Sequence, residues 1–142
     1  MNPIEKIILV ADDDLDDQEM LEEVFLRIEK GALIHTVSSA REALEYLKNC
    51  MPETLPCLII LDYNMPDLTG AQLTEMIAHN KLYKHIPILV WSTSNSAVNR
   101  KECEEKGAKQ YFYKPHDYLE VVEMANKMLS YCNGHTEKAR SI

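Results

Sequence analysis

Residues 6–14 read KIILVADDD, an apolar run of strand length that ends in three aspartates. Nearly continuous apolar runs are typical of strands in parallel sheets, because helices cover both faces of such a sheet. Apolar runs of strand length occur at 6–10 (KIILV), 32–37 (ALIHTV), 57–61 (CLIIL), 87–91 (PILVW) and 109–113 (KQYFY). The first, third and fourth are the most apolar and are predicted to be central, whereas the second and fifth carry polar residues that suit sheet edges.

The segments between these runs have the apolar spacing of amphipathic helices. Helices are predicted at 14–30, 39–48, 71–79, 96–106 and 118–129. Asp14 and Ser39 are suitable N-caps for the first two. Alternating strands and helices predict an α/β fold, a doubly wound five-stranded parallel sheet with helices on both faces. A length of 142 residues suits one domain, predicted at 1–131, with a flexible C-terminal tail at 132–142.

Charge narrows the possible partners. The formal net charge is −8, and no block of Lys and Arg is present, so neither nucleic acid nor an anionic membrane is expected as a partner. No apolar run approaches the roughly 20 residues that a bilayer-spanning helix needs. Aspartates follow the first apolar run, where a signal peptide would have its cleavage site. The sequence therefore predicts a cytoplasmic location.

Four cysteines, at positions 50, 57, 103 and 132, have no CxxC or CxxH spacing. In a reducing compartment they are expected to be small buried or half-buried residues without a disulfide or a metal role.

Polar residues follow four of the predicted strands. Strand one runs into the aspartates at 12–14, strand three into Asp62, strand four into Ser92 and Thr93, and strand five into Lys114. In a doubly wound sheet the ligand site lies beyond the carboxyl ends of the strands, so these side chains are expected to meet. Grouped carboxylates repel one another, and oxygen ligands of this kind favour Mg²⁺. An acid, a lysine and a hydroxyl beside such an ion form a phosphoryl-transfer site.

Four motifs, KIILVADDD, LDYNMPDLTG, PILVWSTS and YFYKP, together resemble the receiver domain of two-component response regulators. The resemblance extends from about Lys6 to Met128, and four motifs in the family's order make it highly specific. It implies a flavodoxin-like, CheY-like fold with strand order 2-1-3-4-5, in a stand-alone single-domain response regulator. It also implies a signalling phosphoacceptor with its own phosphorylation and dephosphorylation chemistry, not an enzyme that turns over a substrate.

The resemblance implies roles for individual acids. Asp62 matches the phosphoacceptor, and Asp12 and Asp13 match the acids that hold Mg²⁺. The backbone carbonyl of Asn64 would complete the metal shell together with Asp62. Because three aspartates are consecutive, the metal-binding pair could also be residues 13 and 14. The pair Asp12 and Asp13 is preferred, because Asp14 is then free to cap the following helix.

The same resemblance assigns the remaining site residues. Lys114 would pair with the phosphoryl oxygens, and the bond from Lys114 to Pro115 would be cis. Ser92 matches the hydroxyl that moves toward the phosphoryl group on activation. Tyr111 matches an aromatic switch residue that swings inward as the hydroxyl moves.

The function implied is acceptance of a phosphoryl group on Asp62 from a sensor histidine kinase or a histidine phosphotransfer protein. Phosphorylation would switch a surface that binds a downstream protein target, which the sequence does not identify. A Mg²⁺-dependent phosphohydrolase is an alternative, although its DxDx[TV] motif is not visible. A scaffold that never becomes phosphorylated is another.

Overall fold

The computed structural model describes the backbone of residues 6–140 and the side chains of residues 6–132. Five parallel strands form one sheet in the order β2-β1-β3-β4-β5. The strands are β1 (Lys6–Ala11), β2 (Ala32–Val37), β3 (Leu58–Asp62), β4 (Ile88–Ser92) and β5 (Gln110–Tyr113). Every strand boundary lies within one residue of its prediction, and the predicted strand order and central strands are confirmed.

Within residues 6–140, five α-helices connect and follow the strands. They are α1 (Leu15–Ile28), α2 (Ala40–Asn49), α3 (Gly70–Ala78), α4 (Ala97–Lys106) and α5 (Tyr118–Arg140), with a short 3-10 turn at Pro52–Thr54. The predicted caps of the first two are present: the Asp14 carboxylate accepts the backbone N–H groups of Asp16 and Asp17, and the Ser39 hydroxyl accepts that of Glu42.

Two apolar layers sandwich the sheet. On one face α1 and α5 cover strand residues such as Ile8, Ile60 and Trp91. On the other face α2, α3 and α4 cover strand residues such as Leu9 and Leu61. Because successive side chains of a strand point to opposite faces, neighbouring residues of one apolar run enter different layers. The predicted doubly wound architecture is therefore confirmed.

The expectation for the cysteines is wrong for one pair. Cys57, just before β3, forms a disulfide with Cys132 on α5, 75 residues further along the chain. The physical reason is the packing of α5 across the sheet, which brings the two Cα atoms to 5.3 Å. Spacing along the sequence carries no sign of this approach. Cys50 and Cys103 are free thiols.

The C-terminal residues continue the last helix. Helix α5 extends to Arg140, and Cys132 is buried, while the flexible tail expected at 132–142 stays a prediction. The side chains beyond residue 132 lie outside the described residues, so the predicted domain end at residue 131 stays a prediction. Within residues 6–140, no helix has the length and apolar character needed to cross a membrane.

Candidate functional site

The carboxyl ends of four strands place the predicted site residues at one edge of the sheet. Asp12 follows β1, Asp62 ends β3, Ser92 ends β4 and Lys114 follows β5. The chain passes from β1 outward to β2 and then returns to β3 on the other side of β1. Helices α1 and α3 therefore leave the edge on opposite faces, which opens a crevice between β1 and β3. Asp12 and Asp62 lie at this crevice.

Three of the predicted acids form a compact cluster. Asp12, Asp13 and Asp62 each offer a carboxylate oxygen, and these oxygens lie within 4.8 Å of one another. Asp12 and Asp62 are buried, whereas Asp13 is exposed. The cluster borders a cavity of about 210 Å³, whose lining includes Asp13, Asp62, Asn64 and Lys114. The expected meeting of residues from distant parts of the chain is observed.

Lys114 crosses the crevice and contacts the acids. Its Nζ lies 2.9 Å from Oδ2 of Asp12 and 3.4 Å from Oδ1 of Asp62. It also donates a hydrogen bond of 2.8 Å to Asp17 on α1. The Nζ further lies 4.7 Å from the centroid of the Trp91 ring, within the range of a cation–π interaction. Lys114 is thus fixed by charges and by an aromatic face.

Burial changes the acidity of the site. Desolvation, together with the nearby charge of Asp12, raises the pKa of Asp62 from 3.8 to about 7, although Lys114 opposes this shift. Desolvation also raises the pKa of Asp12. For Lys114, burial acts against the ammonium, but the hydrogen bond to Asp17 and the negative charges of Asp12 and Asp62 outweigh this effect and raise the pKa. Ionisation of Asp12 and Asp62 therefore costs free energy unless further positive charge lies nearby.

The donor set fits a hard divalent cation. All candidate ligands are oxygen atoms, and among the side chains of residues 6–132 a single lysine, Lys114, contacts Asp12, Asp17 and Asp62. Oδ2 of Asp12 is buried and has no hydrogen-bond partner, because its contact with Lys114 lacks hydrogen-bond geometry. A cation would compensate this buried oxygen. The residues present therefore match what Mg²⁺ requires.

The consecutive aspartates at 12–14 have different local environments. The Asp14 side chain points to the α1 N-terminus, where it accepts two backbone N–H groups. Asp12 turns inward, and its Oδ1 accepts the backbone N–H of Asp14. The carboxylate cluster therefore includes residues 12 and 13, and their assignment as the metal-binding pair stays a prediction. Asn64 lines the cavity and donates its backbone N–H to Oδ1 of Asp62 at 3.3 Å.

The two predicted switch residues are both buried. The Ser92 hydroxyl accepts the backbone N–H of Ser94, and the next residue, Thr93, lines the cavity. Tyr111 already lies inward, with its hydroxyl donating to the Ser94 carbonyl at 2.7 Å. The Arg100 guanidinium lies over its ring. Ser92 and Tyr111 thus both form hydrogen bonds with the backbone of Ser94, and no sequence pattern predicts these contacts.

Two further residues support the site. A Cβ on Gly70 would lie 2.7 Å from the carbonyl oxygen of Asp62, so only glycine lets α3 begin this close to the end of β3. On the other side, the buried Gln18 amide donates to the backbone carbonyls of Asp12 and Val37. Gln18 was missed from the sequence, because a polar residue in the first turns of a helix is usually exposed.

The cis peptide expected before Pro115 is absent. Within residues 6–140 no peptide bond is cis, so the bond from Lys114 to Pro115 is trans. Trans is the lower-energy isomer before proline, and Lys114 reaches the acids from it.

Fold and acidic crevice together define a receiver-type signalling domain. The family model of the response regulator receiver domain matches residues 8–126. The chain belongs to the response regulator receiver family, as the sequence motifs implied.

Individual relatives agree with this family. The chain is 30% identical over 122 residues to two-component response regulator ORR3 of Oryza sativa subsp. japonica, covering 86% of this chain and 89% of the relative. It is 27% identical to ARR8 of Arabidopsis thaliana, covering 86% of this chain but spanning only 60% of that relative's length. Among solved structures, the response regulator RPA3017 of R. palustris, in red light signaling, matches with a TM-score of 0.78 and 27% identity, over 89% of this chain and 92% of that chain.

Proposed function

We propose that Asp62 accepts a phosphoryl group from a phosphohistidine of a sensor histidine kinase or a histidine phosphotransfer protein. The observation that carries this proposal is the position of Lys114, whose ammonium lies 3.4 Å from the Asp62 carboxylate in the crevice that holds the paired acids. Response regulator receivers interact with histidine kinases or phosphotransfer proteins. The same donor class is therefore proposed here, and the particular partner is left to experiment.

In the proposed reaction a carboxylate oxygen of Asp62 attacks phosphorus. An O–P bond forms, the P–N bond to the donor imidazole breaks, and the released imidazole takes up a proton. Lys114 holds positive charge beside the oxygens of the transferred group. Hydrolysis in the same site then returns Asp62 to the carboxylate. The chain acts as a signalling phosphoacceptor with its own chemistry and not as an enzyme with an external substrate.

We assign a Mg²⁺ site to the carboxylates of Asp12, Asp13 and Asp62 and to the backbone carbonyl of Asn64. When bound, Mg²⁺ supplies positive charge that offsets the acids and the oxygens of the phosphoryl group. Asp12 contributes most to this fit, since its buried Oδ2 has no hydrogen-bond partner.

Phosphorylation is proposed to be read out through Ser92 and Tyr111. The Ser92 hydroxyl would turn from the Ser94 N–H toward the new phosphoryl oxygens. Because Tyr111 donates to the Ser94 carbonyl, a movement of this segment reaches α4, β5 and α5. This surface would bind the downstream protein target. A cytoplasmic location fits a phosphoryl donor of this class, and neither nucleic acid nor a membrane is proposed as a partner.

Incubation with acetyl phosphate and Mg²⁺, followed by intact-mass measurement, tests the proposal. The native chain should gain one phosphoryl group, and Asp62→Ala should gain none. An equal gain in the variant would remove Asp62 as acceptor. No gain in the native chain would favour the unphosphorylated scaffold, and continuous turnover of phosphate esters would favour the phosphohydrolase.

A further inference from the structure

Asp17 engages the lysine that the phosphoryl group requires. The Lys114 Nζ donates to Oδ2 of Asp17 at 2.8 Å, while its distance to Oδ1 of Asp62 is 3.4 Å. A third partner, Asp12, lies at 2.9 Å. The hydrogen bond of Lys114 goes to Asp17, whereas Asp12 and Asp62 contact the ammonium as ion-pair partners. In the resting chain the ammonium is held closer to α1 than to the acceptor.

The two nearer partners differ in how easily they release Lys114. The Asp12 side chain is 0% exposed, so separation from the ammonium would leave a buried charge uncompensated. The Asp17 side chain is 23% exposed and lines the open cavity, so water can replace the lysine. A phosphoryl group on Asp62 adds charge and oxygen acceptors beside the ammonium. The contact between Lys114 and Asp17 is therefore the one that breaks when Asp62 carries a phosphoryl group.

We propose that Asp17 is a positioning residue that competes with the phosphoryl group on Asp62 for Lys114. The inference rests on the proposed function of Asp62 and extends it to the first turn of α1. Asp17 holds the ammonium away from Asp62 in the resting chain and releases it on phosphorylation. Its carboxylate thus sets how tightly the site retains a phosphoryl group.

Beryllofluoride, which mimics a phosphoryl group on a carboxylate, provides the test. At saturating Mg²⁺, emission of Trp91 is followed as beryllofluoride is added to the native chain and to variants. Asp17→Asn removes the competing charge, so its half-saturating concentration should fall about two- to fivefold, the range of a partly exposed charge pair. Asp17→Glu restores a carboxylate and should lie closer to the native chain than the Asn variant does.

Asp16→Asn is the matched control. Asp16 lies in the same first turn of α1, and its loss changes the net charge and the helix-dipole interaction equally. It should leave beryllofluoride affinity nearly native. An equal effect of both variants, or weaker binding in Asp17→Asn, would overturn the role of Asp17. Absence of beryllofluoride binding in the native chain would instead overturn the proposed function, and this inference with it.

Discussion

The ammonium of Lys114 lies 4.7 Å from the centroid of the Trp91 ring, on the edge of the sheet that holds the acids. Trp91 is the only tryptophan of the chain and is fully buried. Because a nearby charge shifts indole emission, we expect the fluorescence of Trp91 to change when Lys114 moves. The site therefore carries its own spectroscopic probe.

We predict that Mg²⁺ changes Trp91 emission and that Asp13→Asn weakens Mg²⁺ binding by about tenfold or more, because one of three clustered carboxylates is lost. A fluorescence titration with Mg²⁺ measures the half-saturating concentration. Asp16→Asn, outside the cluster, serves as the charge-matched control. Equal Mg²⁺ affinity in the two variants would rule out the proposed ligand set.

The raised pKa of Asp62 makes stability depend on pH. The folded chain raises this pKa from 3.8 to about 7, so between these values it binds more protons than the unfolded chain does. The contribution of Asp62 to the free energy of unfolding therefore falls as pH rises through this range. In EDTA, Asp62→Asn should increase that free energy by about 1–3 kcal/mol at pH 8, and by less at pH 5. Urea unfolding at both pH values checks this, and a gain that does not grow with pH would contradict it.

Gly70 should tolerate no side chain. In Gly70→Ala the new Cβ would lie 2.7 Å from the Asp62 carbonyl oxygen, and overpacking of this kind costs about 1–3 kcal/mol. Gly31→Ala is the matched control, since a Cβ there meets nothing within 4 Å. Thermal unfolding should show a clear loss for the first variant and a change within about 0.5 kcal/mol for the second. Similar losses would show that crowding at Gly70 is not the cause.

The disulfide between Cys57 and Cys132 should stabilise the fold. The cross-link closes a loop between residues 75 apart, and its reduction should lower the free energy of unfolding by about 2–4 kcal/mol. Urea unfolding with and without dithiothreitol measures this difference. Cys57→Ser should be insensitive to the reductant, whereas Cys50→Ser should remain as sensitive as the native chain. A native chain unaffected by the reductant would speak against the cross-link.

The sequence predicts features that depend on local periodicity. The central strands are visible in the sequence because they are buried on both faces, and Asp12, Asp62 and Lys114 are visible because parallel strands end at one edge. Contacts between elements that are distant in the chain produce no such pattern in the sequence. The pairing of Lys114 with Asp17 joins residues 97 apart, and the approach of Cys132 to Cys57 depends on how α5 crosses the sheet.

Other differences between the sequence-based predictions and the structure come from the packing of individual side chains. Gln18 is buried because its amide satisfies backbone carbonyls beside Asp12, which composition cannot indicate. The inward position of Tyr111 depends on a hydrogen bond to the Ser94 backbone. Such contacts are set by tertiary packing and not by local sequence.

The central claim, that Asp62 is the acceptor, is tested most directly by locating the acyl phosphate. Borohydride reduces an aspartyl phosphate to homoserine, so the chain is treated with acetyl phosphate and Mg²⁺, reduced, digested and sequenced by mass spectrometry. We predict homoserine at position 62 and at no other aspartate. Homoserine at position 12, 13 or 17, with Asp62 unchanged, would contradict the account.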